Sequence, residues 1–256
     1  MKKYFIITLL CITAMSSLRA QEYKVNKNSG KMTINLSSVT VEGYSGNKIV
    51  FSSQKKETET DPRAVGLRSI NGSGYTDNTG LGISVTEKGT SLEVNQVATS
   101  DQSIKILVPK GVILSYGFHK VQNAGKINFK NLENEIEIST DYNSVELDDV
   151  TGPLAVRTLY GSVDAKFSGH IKGPVSIAAI YAAVDVTIPV DTKANVKLST
   201  THGAILVAPE LKIEMEKSTE EGLVNYGSNV SGKLNGGGLD FKLTSEYGKI
   251  YLRKTK

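Results

Sequence analysis

Apolar residues return along the middle of this chain at a fixed step. Ile127, Ile136, Val145, Leu154 and Val163 lie nine apart, and each is followed two positions on by another apolar residue: Phe129, Ile138, Leu147, Val156 and Ala165. Apolar–x–apolar marks a strand with one buried face, because successive side chains of a strand point to opposite sides. A helix drifts out of phase with such a spacing. A short strand recurring at a fixed interval predicts one small unit stacked on copies of itself. Beyond Val163 the step alternates: Val175, Val184, Val196 and Ile205 follow at twelve, nine, twelve and nine, with Ile177, Val186, Leu198 and Val207 as second members. Three extra residues at every second connection predict two strands per coil, coils of 18 to 21 residues, and one edge thickened by FSGHIKGP and TIPVDTKA.

The expected fold is all-β: a right-handed parallel β-helix or β-solenoid-like stack of two-strand coils, with neighbouring coils ~4.8 Å apart. Residues 21–117 alternate less regularly and are expected to cap one end. Within them, Ile83/Val85 and Leu92/Val94 read as a hairpin across Glu87–Lys88–Gly89, and 55–80 reads as a long exposed loop. Residues 118–256 carry the regular coils, interrupted at 208–238 by the charged ELKIEMEKSTEEG and the glycines Gly236–Gly238. That interruption is read as an excursion, a hairpin on the flank of the stack. Phe241/Leu243 and Ile250/Leu252 then resume the nine-residue step. The last strand, KIYLRKTK, is expected at the far end, where Arg253, Lys254 and Lys256 discourage edge-to-edge pairing.

The first twenty residues change the picture of where the chain works. Lys2 and Lys3 precede an apolar run from Tyr4 to about Met15, then small and polar residues to Ala20. This is the layout of a secretory signal peptide, with cleavage expected after Ala20, so that 21–256 forms a single elongated domain. The leader holds three basic residues and no acid, so the formal charge of +4 falls close to neutral once it is removed. Near-neutrality argues against nucleic acid as a partner. Cys11, the sole cysteine, leaves with the leader, so neither a disulfide nor thiol chemistry is expected. No second apolar stretch is long enough to span a bilayer. The expected location is outside the cytoplasm: periplasmic, attached to the outer surface, or secreted.

A second element rides on the strand repeat. TDYNSVEL, TLYGSVDA, AIYAAVDV, TTHGAILV and SEYGKIYL each place an aromatic or imidazole three residues before the strand, usually followed by a small residue. Stacked coils would align Tyr142, Tyr160, Tyr181, His202 and Tyr247. Asn143 and the glycines Gly161, Gly203 and Gly248 suit a left-handed tight corner. The ladder is either a binding surface, since tyrosine suits half-wet contacts, or a corner stack that covers the core. Glu146, Asp164 and Asp185 point outward on successive coils; such a row could hold calcium, but the pattern breaks at Leu206 and Tyr251 and reads as a solvated face. His119, His170 and His202 show no metal-ligand spacing, and neither a G-x-S-x-G nor a phosphate-binding glycine loop occurs. Arg157 stands alone among the regular coils and reads as a surface residue. No catalytic residue, metal or cofactor is expected.

IKILVPKG, the repeated T-x-Y-G-x-V segments and SGKLNGGGLDFKLTSEYGKIYLRK together resemble the bacterial putative-adhesin family, a domain of unknown function in exported envelope proteins. The resemblance covers nearly all of 21–256, most clearly 101–207 and 231–253, and departs from the glycine pattern at Asn143 and Ala182. It implies a β-solenoid-like fold and brings no catalytic residues. The expected function is a non-enzymatic envelope protein that binds a surface glycan or an envelope protein. A carbohydrate-active β-helix enzyme and a periplasmic component of envelope-stress sensing are the alternatives.

Overall fold

The structure, a computed structural model, describes residues 21–53, 62–98, 103–122, 124–215 and 227–255. The leader therefore lies outside the described residues, as do parts of the 55–80 and 208–238 segments. Four strands open the chain: β1 (Glu22–Val25), β2 (Gly30–Asn35), β3 (Val39–Gly43) and β4 (Ile49–Ser53). After a loop come β5 (Ile83–Lys88), β6 (Ser91–Gln96), β7 (Ile104–Val108), β8 (Val112–Phe118) and β9 (Lys126–Leu132). The middle holds β10 (Ile136–Thr140), β11 (Ser144–Val150), β12 (Leu154–Thr158), β13 (Val163–Lys166), β14 (Val175–Ala179), β15 (Val184–Ile188), β16 (Ala194–Thr200) and β17 (Ile205–Val207). β18 (Ile213–Met215), β19 (Ser228–Leu234), β20 (Leu239–Ser245) and β21 (Ile250–Lys254) complete the set. No α-helix occurs among the described residues, and no helix there is long and apolar enough to cross a membrane.

The protein is all-β, with two large, mostly parallel sheets. One runs β1-β4-β7-β3-β9-β11-β13-β15-β21-β17, the other β18-β19-β16-β20-β14-β12-β10-β8-β2-β6-β5. From β8 to β17 the chain changes sheet at every connection, so each pair of consecutive strands contributes one rung to each sheet. Between β9 and β15 partners lie 18 or 21 residues apart, as in Ile136↔Leu154, Val145↔Val163 and Val163↔Val184. The repeated apolar positions point inward. Ile127 to Ala165 and their counterparts through Leu198 are all buried, and the inner faces of both sheets form one continuous core. Within that core Val and Ile stack on themselves, where branched side chains pack well.

Chain order and stacking order part company at the C-terminus. β14 pairs with β20 and β15 with β21, so the last two strands lie between β14/β15 and β16/β17. KIYLRKTK is thus interior to its sheet, not the terminal edge that the repeat predicts. An aromatic contact in the core accompanies the exchange. The lengthened 167–174 connection carries Phe167 into the core, and Phe241 of β20 meets it edge to face at 6.1 Å.

The N-terminus repeats the device. β2/β3 lie between β6/β7 and β8/β9, so these strands are regular members of the stack and not an irregular cap. The caps are antiparallel strands: β4 on β7 with β1 outside it, β5 on β6 through the expected hairpin, and β19 on β16 with β18 outside it. The 208–238 excursion accordingly contains an antiparallel strand pair, as expected, but the pair closes the end of one sheet instead of packing on the flank of the stack.

Candidate functional site

Four of the five ladder corners begin with a buried hydroxyl. Thr140, Thr158, Thr200 and Ser245 are the last inward residues of their strands, and all are at most 2% exposed. The Thr158 hydroxyl donates to Gly161 O at 2.7 Å; the Thr200 and Ser245 oxygens accept from Gly203 N and Gly248 N at 2.9 and 3.0 Å. A hydroxyl three residues before the corner therefore ties the turn back on its own strand, as Ser and Thr do at other chain reversals. At the rung where Ala179 replaces it, Ser245 from the next rung bonds Ala182 O instead. The sequence repeat contains this signal, a T or S two residues before four of the five rings, but alternation of apolar residues does not reveal it.

The corner glycines serve a different purpose from the one expected. None of Gly161, Gly203 and Gly248, nor Asn143, has a positive φ. Their requirement is close approach: a Cβ at Gly161 would lie 1.8 Å from Asn143 O, and one at Gly203 1.8 Å from Gly248 O. Neighbouring corners touch backbone to backbone. Asn143, at the bottom of the series, is fully buried and donates to Ser37 O and Gly125 O, stitching three rungs.

This tight corner lifts one ring per rung to the surface. Tyr142, Tyr160, Tyr181, Tyr247 and His202 form one continuous stack, with centroids 5.2, 5.0, 5.1 and 4.8 Å apart and planes within 17° of parallel. The five rings come together as the sequence predicts, but Tyr247 precedes His202 because β20/β21 enter the stack ahead of β16/β17. Tyr160, Tyr181 and Tyr247 are each about half exposed, at 52, 51 and 52%. Their ring faces are spent on one another, so the surface they offer is a strip of ring edges and hydroxyls. Those hydroxyls make no hydrogen bond with the described residues.

The outer faces of both sheets carry charges of either sign. On the 10-stranded sheet Glu146, Asp164 and Asp185 stand in register. Lys126 pairs with Glu146, and Arg253 holds Asp185 through two bonds of 2.7 and 2.9 Å. Asp164 is left between them; partial burial, then the like charges of Asp185 and Glu146, push its carboxyl above the ordinary range. The next rungs carry Tyr251 and Leu206, as the sequence shows, and no group of three or more metal-ligating side chains is assembled among the described residues.

Against the ladder, on the 11-stranded sheet, lies a shallow groove of about 280 Å³ lined by His119, Ser139, Asp141, Arg157, Leu159 and Ile180. His119 Nδ1 sits 3.0 Å from Asp141 Oδ1. Ser139 and Ala178 flank Arg157 in register, and their small side chains open the groove. A broader recess of about 420 Å³ opens where 168–172 and 189–193 meet Gly237, Gly238 and Leu239, at the edge that the three-residue insertions thicken; His170 lies there, apart from the ladder.

No family model matches the chain, and no curated protein matches it. Two solved structures align with most of it. A putative cell adhesion protein from Clostridium sporogenes is 14% identical, covers 93% of this chain and 100% of its own, and has a TM-score of 0.43. A putative adhesin from Bacteroides fragilis is 10% identical, covers 93% of this chain and 98% of its own, and has a TM-score of 0.32. At that level of likeness neither name transfers to this chain.

Proposed function

We propose that the protein is an exported, non-enzymatic β-solenoid of the cell envelope whose ladder corner binds a linear ligand, in the manner of an adhesin. The observation that carries this reading is the unbroken stack of Tyr142, Tyr160, Tyr181, Tyr247 and His202, half exposed and with its hydroxyls unpaired among the described residues. Tyrosine at such a place combines a rigid apolar body with a polar tip at low entropic cost, the combination that recognition surfaces favour. A core of buried β-branched residues beneath it keeps the strip straight without a ligand. Pitch favours a glycan over an extended peptide. Same-face residues of a strand repeat every ~6.6 Å, so a peptide laid along the ladder loses register within a few rungs, whereas a chain of linked pyranoses advances by about the rung spacing.

The test is a glycan panel and an envelope-extract pulldown with the wild type and with Tyr160→Ala/Tyr181→Ala. The double variant is expected to lose at least tenfold in binding while keeping its strand spectrum. Binding that survives the substitutions, or depolymerisation of a polysaccharide by the purified protein, overturns the proposal.

A further inference from the structure

The groove beside the ladder contains the one long cationic side chain of its row. Across the rungs the outward position just before the corner reads Gly117, Ser139, Arg157, Ala178, Thr244 and Ser199. Arg157 therefore stands on a floor of small residues. Its guanidinium makes no ion pair or hydrogen bond among the described residues, although strand neighbours on both sides leave it free to fold onto a partner.

Two further cations continue from it. Lys242 and Lys197 face outward from β20 and β16, in register with one another and two residues before Thr244 and Ser199. Neither has an ion-pair partner among the described residues. Nearby acids are already engaged or stand apart. Glu137 pairs with Lys31, Asp141 faces His119, and Asp240 at the far end of β20 accepts from Asn195. Glu246 occupies the corner itself, beyond the groove. Arg157 and, beyond the uncharged Ser176 and Ala178 of β14, the level pair Lys242 and Lys197 thus make a group of three unpaired cations on the face beside the ladder. The opposite sheet presents the acidic row at Glu146, Asp164 and Asp185.

The geometry points to an acidic glycan, one bearing carboxylates on its sugar rings, as the ligand of this corner. This rests on the reading of the ladder as a binding surface and specifies its ligand. Hydroxyls along the tyrosine edges meet the hydroxyls of the sugar chain. The guanidinium at Arg157 takes one carboxylate through its two-pronged fork, and the lysines draw the neighbouring charges as point cations. A neutral glycan would leave three cations without partners along its length. A carboxylate chain gives them partners.

Hexagalacturonate and its fully methyl-esterified form separate the charge from the sugar. Titrations of these two and of neutral cellohexaose into the full chain, into Arg157→Gln and into Tyr160→Ala/Tyr181→Ala test the assignment, with circular dichroism confirming each fold. The acid is expected to bind at least tenfold more tightly than the ester, to lose about tenfold with Arg157→Gln, and to weaken as salt rises. Equal affinity for acid and ester, or no effect of Arg157→Gln, overturns the acidic ligand. If the ester or cellohexaose still binds and the tyrosine variant abolishes that binding, the ladder reading survives alone. If none of the three oligosaccharides binds, the acidic-glycan assignment falls, and loss of the envelope pulldown as well removes the ladder reading with it.

Discussion

At the scale of single residues, what shapes the site is contact between neighbouring corners. Gly161, Gly203 and Gly248 have ordinary negative φ, yet each stands where a methyl group would collide with the carbonyl of the next rung. Sequence can show that a small residue is needed there. It cannot show whether the need is a left-handed turn or a close approach, because both select glycine. Substitution separates them. Gly161→Ala is expected to cost about 1–3 kcal/mol by overpacking, measured by denaturant unfolding. Gly72→Ala, in a loop where nothing lies within 4 Å, serves as the control and should be near neutral. Equal effects at both positions would mean that corner contact is not what holds Gly161. The buried hydroxyls act with the glycines: by tying Thr158 to Gly161 O, the chain turns tightly enough to lift Tyr160 outward.

At the scale of elements, the periodicity of the chain was an accurate guide to which residues face inward and a poor one to which strands are neighbours. Ile136, Val145 and Leu154 belong to buried rungs as the nine-residue step requires, and their partners follow one coil later. Any two strands of this pattern can pair, so the pattern does not order them. In the observed order Phe241 packs against Phe167, and antiparallel strands close three of the four sheet ends, β17 being the parallel exception. The carboxylate row and the aromatic ladder were legible because their spacing follows the strand repeat. The groove at Arg157 was not, since its lining residues come from four different corners and only stacking brings them together. Strand insertion also makes a mechanical prediction. Ending the chain after Gly238 removes β20/β21 from the interior of both sheets and separates β14/β15 from β16/β17. Hydrogen exchange should then show loss of protection throughout 175–207. Loss confined to one sheet edge would contradict the observed order.

At the scale of the whole molecule, two sheets with a shared core hold one aromatic strip in register, with three unpaired cations on one side and a carboxylate row on the other. A scaffold of this kind needs no hinge or pocket to recognise a linear ligand, because repetition in the protein meets repetition in the partner. Stacking spends the ring faces internally, so substitution to Phe should preserve the stack and remove only the hydroxyl contacts. The central claim is that the ladder is the contact surface. The most direct measurement is a titration of protein carrying ¹³C-labelled tyrosine with hexagalacturonate, its methyl ester and cellohexaose, read on the aromatic signals. The account predicts that Tyr142, Tyr160, Tyr181 and Tyr247 shift together and saturate with at least one of these, while buried Tyr116 stays still. Saturable binding that leaves those four signals unmoved would contradict it.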